Sequence, residues 1–166
     1  EIMKAETYKA RLKFLQENSI STADDLTACM HQAESTVTQL AKQRTILNVR
    51  KKKRRKLFDA LAAEEALAMS KDLYEEGLSG MESEYAQYVE AKATLDTCGI
   101  SRQALTEEKA DIYEQLAQLN KQIRAERQKI KLCREIADSA AVMQRDVAAQ
   151  EKSQQEKEAS QIRDHE

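Results

Sequence analysis

The sequence has no proline, no tryptophan, only three glycines and only 4 % aromatic residues. Each shortage excludes something. Without proline, and with so little glycine, few signals exist to end a helix once it starts. With so few rings and bulky apolar groups, a wide core is not expected. No apolar run approaches the roughly 20 residues of a membrane span. The first residues, EIMKAETYKA, lack the apolar centre of a signal peptide. They also lack an initiator methionine, so the sequence reads as a segment of a longer chain. Cys29, Cys98 and Cys133 lie far apart, with no CxxC spacing. An odd number of scattered cysteines reads as free thiols in a reducing, cytoplasmic compartment.

Chemistry is sparse as well. The two histidines are His31 and His165, and no glycine-rich phosphate loop is present. His31 with Cys29 does not have a spacing that closes a metal site. Asp24–Asp25 and Glu64–Glu65 read as helix-start and surface residues, since nothing suggests a pocket to perturb them. The expectation is a protein that is not an enzyme, with no catalytic residues, no metal and no cofactor.

What is present is charge on good helix formers. Charged residues make up 34 % of the chain, and the net charge is −2. Ala, Glu, Lys, Leu, Gln and Arg favour long helices buried along narrow seams. The expected fold is all-α, an elongated set of antiparallel coiled-coil hairpins. A short hairpin turns near 19–21 and a long one near 98–100. Residues 1–147 form this domain, and 148–166 form a polar, frayed helical tail.

The turn assignments rest on local chemistry. In ENSIST, Ser21 can cap a helix, with Asp24 completing a capping box. In DTCGIS, Gly99 supplies a left-handed residue, Ser101 a cap, and Ile100 with Leu105 a hydrophobic staple. EEGLSGM, with Gly77 and Gly80, reads instead as a weakened or kinked helix. The apolar series Tyr74, Leu78, Met81, Tyr85, Tyr88, Lys92 and Leu95 keeps its phase straight through it. The other seams are Ala5, Tyr8, Leu12 and Leu15; Leu26, Met30, Ala33, Val37, Leu40 and Leu47; and Ile112, Leu116, Leu119, Ile123, Ile130, Cys133, Ala137, Ala140 and Val147, the last series interrupted by Glu126. A reversal at Cys98–Gly99 would set Tyr88 near Ile112 and Leu67 near Cys133.

The one concentrated feature is the run Arg50, Lys51, Lys52, Lys53, Arg54, Arg55 and Lys56. Seven consecutive residues point all round a helix. Continuing the seam puts Lys51 and Arg54 on it, and a dry seam does not take two unpaired cations. The expected register sets Asp146 and Glu151 opposite. Two readings stay open: a solvated face with packed stems, or a stripe that binds phosphates. A nuclear address matches the letters but not the context, since such runs normally sit in flexible segments. No aromatic interleaves the run, which argues against base stacking. Long cations without Asn or Gln favour backbone contacts over base reading.

Three segments, YKARLKFLQENSISTADDL, TQLAKQRTILNVRKKKRR and CGISRQALTEEKADIYEQLAQLNKQIRAERQKIKLCREI, together resemble a known region. It is the helical C-terminal region that follows the nuclease domain in mobilisation relaxases of conjugative elements from gut Firmicutes. The likeness covers roughly residues 7–137. The tyrosine and histidine-bound metal with which those relaxases nick DNA have no counterpart here. The resemblance therefore implies a non-catalytic module of a DNA-mobilisation protein that binds DNA backbone, a protein partner, or both, with no membrane. A stand-alone helical inhibitor or adaptor of a nucleic-acid enzyme, and a purely structural spacer, are the alternatives. Monomer and homodimer both remain open.

Overall fold

The computed structural model describes residues 4–164, less the side chains of Met143, Gln144 and Asp146. It is all-α. Helix α1 spans Ala5–Glu17, α2 Ala23–Glu75, α3 Glu82–Thr97 and α4 Arg102–Arg163. There are two compact units. One is Gln39–Gln122, and the other is built from the segments flanking it in sequence. Among the described residues no helix is long and apolar enough to cross a membrane.

In the Gln39–Gln122 unit the chain reverses at Gly77–Gly80, between α2 and α3, and not at Gly99. The Gly77 N–H donates to the Tyr74 carbonyl (3.0 Å) and the Leu78 N–H to the Leu73 carbonyl (3.0 Å). This is the Schellman pattern that ends a helix, and Gly77 holds its left-handed position (φ 94°). Tyr74 and Tyr85 then stack face to face, 4.1 Å between centroids. The unbroken apolar phase across the glycines is thus the phase of two facing helix ends. Residues equidistant from a tight turn meet each other, so the series continues across the reversal as if no turn were there.

From this reversal α3 and α4 follow one antiparallel track along α2. Tyr88 lies under the Lys71 ammonium, 5.9 Å from ring centroid to Nζ. Next, Arg102 grips Glu64 with two bonds of 2.7 Å. Glu108 then meets Arg54 (3.3 Å), and Asn120 meets Arg44 (3.2 Å). As the chain advances from 85 to 120, its partner on α2 falls steadily from 74 to 44. The break at Cys98–Ser101 therefore interrupts the helix without turning the chain back. Gly99 is left-handed (φ 75°), and Ser101 Oγ accepts the Ala104 N–H (3.1 Å) to cap α4. The core of this unit includes Leu47, Phe58, Leu95, Leu105, Ile112 and Leu116, with Ile100 packed against it. The expected pairs Tyr88–Ile112 and Leu67–Cys133 are replaced by Tyr88–Lys71 and Cys133–Cys29.

The flanking unit holds the short turn near 19–21. Ser19 is left-handed (φ 54°). The Ile20 N–H donates to the Leu15 carbonyl (2.9 Å) and Ser19 N–H to that of Gln16 (3.2 Å). The cap of α2 is one residue later than the sequence pattern suggests. Thr22 Oγ1 accepts the Asp25 N–H (3.1 Å), and Asp25 Oδ2 accepts the N–H groups of Ser21 (3.0 Å) and Thr22 (3.1 Å). Two backbone donors converge on this carboxylate and hold its pKa below the ordinary 3.8. Phe14, Leu26 and Cys133 form the core, with Leu15, Ile20, Met30 and Ile136 against it. On α1 the inward residues are Arg11, Phe14 and Leu15; Tyr8 and Leu12, expected on the seam, are exposed. Arg11 donates to Ser139 (2.9 Å) and pairs with Glu135 (3.8 Å). Every described residue of α4 from Ala141 onward is exposed. This includes Val147, expected on the seam, whereas beyond it a segment polar on all sides should be exposed.

Candidate functional site

The basic run lies wholly within α2, in the Gln39–Gln122 unit. Helical geometry divides it into two sets. Lys51 and Arg54 stand on the inward edge, one turn apart and half-buried, and the neighbouring Leu47 and Phe58 are buried. Each is answered from α4. Arg54 Nε donates to Glu108 (3.3 Å), and Arg50 reaches the same carboxylate at 3.9 Å. The Lys51 ammonium sits over the ring of Tyr113, 4.7 Å from its centroid, and Lys109 approaches the same ring at 6.0 Å.

The second set is Lys52, Lys53, Arg55 and Lys56, all exposed. Among the described residues these four come within ion-pair distance of no carboxylate, while Glu108 serves Arg50 and Arg54. Among the described residues, the carboxylate that meets the run is Glu108. Glu108 stands there because the chain turns at Gly77–Gly80, so that the residues facing 50–54 come from the start of α4. The side chain of Asp146 lies outside the described ones.

Reading the sequence missed Glu108, Lys109 and Tyr113. The signal was available in the pair of glycines. A reversal centred on them brings Lys51 toward the first third of α4, whereas a reversal at Gly99 brings it toward the far end.

Tyr113 forms one wall of a groove of about 400 Å³. Across it stand Asn48, Lys51, Lys52 and Arg55 of α2, with Asp59 also lining it. A second groove in this unit, about 550 Å³, is lined by Gln43, Ile46, Arg50, Gln118 and their neighbours. Ile46 exposes 62 % of its surface in this groove, and Val49, next to Arg50 in the chain, exposes 48 %, leaving apolar contact area free near the cations.

Elsewhere the chemistry is structural. Arg102 joins three helices, since besides Glu64 it meets Asp96 of α3 at 2.8 Å. Arg102 foremost, by hydrogen bonding, lowers the pKa of Glu64; Lys92 and then Arg102 lower that of Asp96. In the flanking unit the Cys133 thiol is pushed up to about 11, first by burial and then by the neighbouring Cys29. Among the described residues no group of three or more His, Cys, Asp or Glu side chains could hold a metal ion. His31 is exposed.

Compared with protein-family models, curated proteins and solved structures, the chain shows no significant match to any.

Proposed function

We propose that the protein is a non-catalytic helical module of a DNA-mobilisation, relaxase-type protein and that it holds DNA through its phosphates. One observation carries the reading. Lys52, Lys53, Arg55 and Lys56 project from one rigid helix with no carboxylate in ion-pair range among the described residues, while Lys51 and Arg54 are tied to α4. A merely solvated face does not need cations concentrated this way, and phosphates supply what the face lacks. Contacts of this kind position a duplex without reading its sequence.

The test is a titration of duplex DNA with the parent and a variant carrying Lys52→Gln, Lys53→Gln and Arg55→Gln. Glutamine is nearly as good a helix former as lysine or arginine, and the three positions are exposed, so the fold should persist. The variant should bind more weakly at every sequence, and its salt dependence should flatten by up to about three contacts' worth. Unchanged affinity would reject the phosphate reading.

A second reading has its own support in the exposed Ile46 and Val49 beside Arg50. An acidic protein partner could use both the apolar area and the cations, as in the adaptor or inhibitor alternative. Such a partner would be weakened by Ile46→Ser, which DNA phosphates would not register.

A further inference from the structure

Tyr113 stands beside the exposed cations, although nothing in the local sequence of the run announces an aromatic. It belongs to α4, reaches the groove across from Lys52 and Arg55, and keeps 45 % of its surface exposed. The buried Phe58 lies under the same groove. A ring with free surface, flanked by long cations on a neighbouring helix, is the pairing that platforms for unpaired nucleic acid use: stacking for the base and charge for the backbone.

We propose that this groove is a stacking subsite for an unpaired base of single-stranded DNA, with Tyr113 taking the base and Lys52 and Arg55 the flanking phosphates. The inference rests on the phosphate-binding reading of the basic run and adds a preference that a bare cation stripe lacks. A paired base has both faces covered by its neighbours in the duplex; an unpaired one can offer a face to Tyr113.

The contact that now occupies the ring does not prevent this. A half-buried lysine over a ring is held no more strongly than a stacked base. The base therefore displaces the Lys51 ammonium, whose flexible stem lets it turn to a phosphate. Lys52 and Lys56 lie about 6 Å apart along the helix axis, so the cations continue past the ring as a track. Asp59, at the same groove, repels phosphates and keeps the strand on the Lys52–Arg55 side. Stacking uses the π-face that every base has, so the subsite should be tolerant of sequence.

The experiment titrates the full chain with a labelled thymidylate strand of roughly 16 nucleotides and with a duplex of equal length, at about 50 and 200 mM salt. The parent should bind the single strand more tightly than the duplex. Tyr113→Leu should weaken single-strand binding roughly ten-fold and leave duplex binding nearly unchanged, whereas Tyr113→Phe should keep the preference. A second measurement needs no variant. A strand carrying 5-bromodeoxyuridine, irradiated with the parent protein, should cross-link within the peptide that contains Tyr113. Equal binding of the two forms, equal loss on both in Tyr113→Leu, or cross-links confined to other peptides would overturn the stacking subsite. Salt-dependent duplex binding would still stand in those cases, so the phosphate reading would survive. Absence of salt-dependent binding to either form would overturn both.

Discussion

Ser19 and Gly77 do the same job with different residues. Each sits left-handed at the end of a helix and donates its N–H to a carbonyl of the last turn. For Ser19 the side chain makes that conformation costly, and glycine removes the cost. Ser19→Gly should therefore raise stability by about 0.5–1 kcal/mol. Gly77→Ala should lower it by about 1 kcal/mol. The position has open space around an added Cβ, so the loss would be conformational and not steric. Urea melts of the two variants check both signs. A second residue-scale expectation concerns Cys133, whose thiol is raised to about 11 by burial and by Cys29. At pH 8 it should be almost wholly protonated and react with alkylating reagents far more slowly than an unfolded thiol. Because the fold favours the protonated form, its contribution to stability is complete below the unfolded thiol's pKa near 9 and is lost as pH rises toward 11. Mass-resolved alkylation rates against pH measure this directly.

At the level of elements, the seam of α4 holds from Ile112 to Cys133. Leu116 and Ile123 expose 8 % and 1 % of their surface, and either substitution by alanine should cost roughly 2–4 kcal/mol. If both variants melt like the parent, the seam of α4 has been misread. Arg102 works differently. It joins α2, α3 and α4 through Glu64 and Asp96, but it is partly exposed and solvent screens it. Arg102→Gln should cost only about 1 kcal/mol or less. Its signature is the pH profile. Glu64 and Asp96 titrate below their ordinary 4.5 and 3.8, so their contribution is full above those values and is lost as pH falls below them. The variant should show a shallower loss of stability on the acid side.

The seam of α4 was readable from spacing because a helix face is local, whereas on α1 Tyr8 and Leu12 face outward. Ser101 was readable as a cap for the same reason, and the left-handed Gly99 as a break. The site of the chain reversal was not. Tyr74 and Tyr85 kept heptad phase across Gly77 and Gly80, and a continuous helix and a tight hairpin can give the same periodicity. The two differ only in which long-range pair is formed, and here it is the stacked tyrosines.

For the molecule as a whole, that single ambiguity propagated into the candidate site. The division of the basic run into Lys51 and Arg54 on the seam and the rest outward was legible, since it follows from helical spacing. The residues that meet them were not, because they depend on the register of α4 against α2. With the reversal at Gly77–Gly80, Glu108 and Tyr113 stand beside the run; a reversal at Gly99 would have brought residues 144–150 instead. One carboxylate, Glu108, serves Arg50 and Arg54, while Lys52, Lys53, Arg55 and Lys56 face outward. The central claim is that these four outward cations hold phosphates. The most direct test is the slope of log K against log salt for duplex DNA and the parent protein, over several unrelated sequences. Four phosphate contacts predict a slope of about −3 to −4, alike for every sequence. A slope near zero, or binding confined to one sequence, would contradict the account.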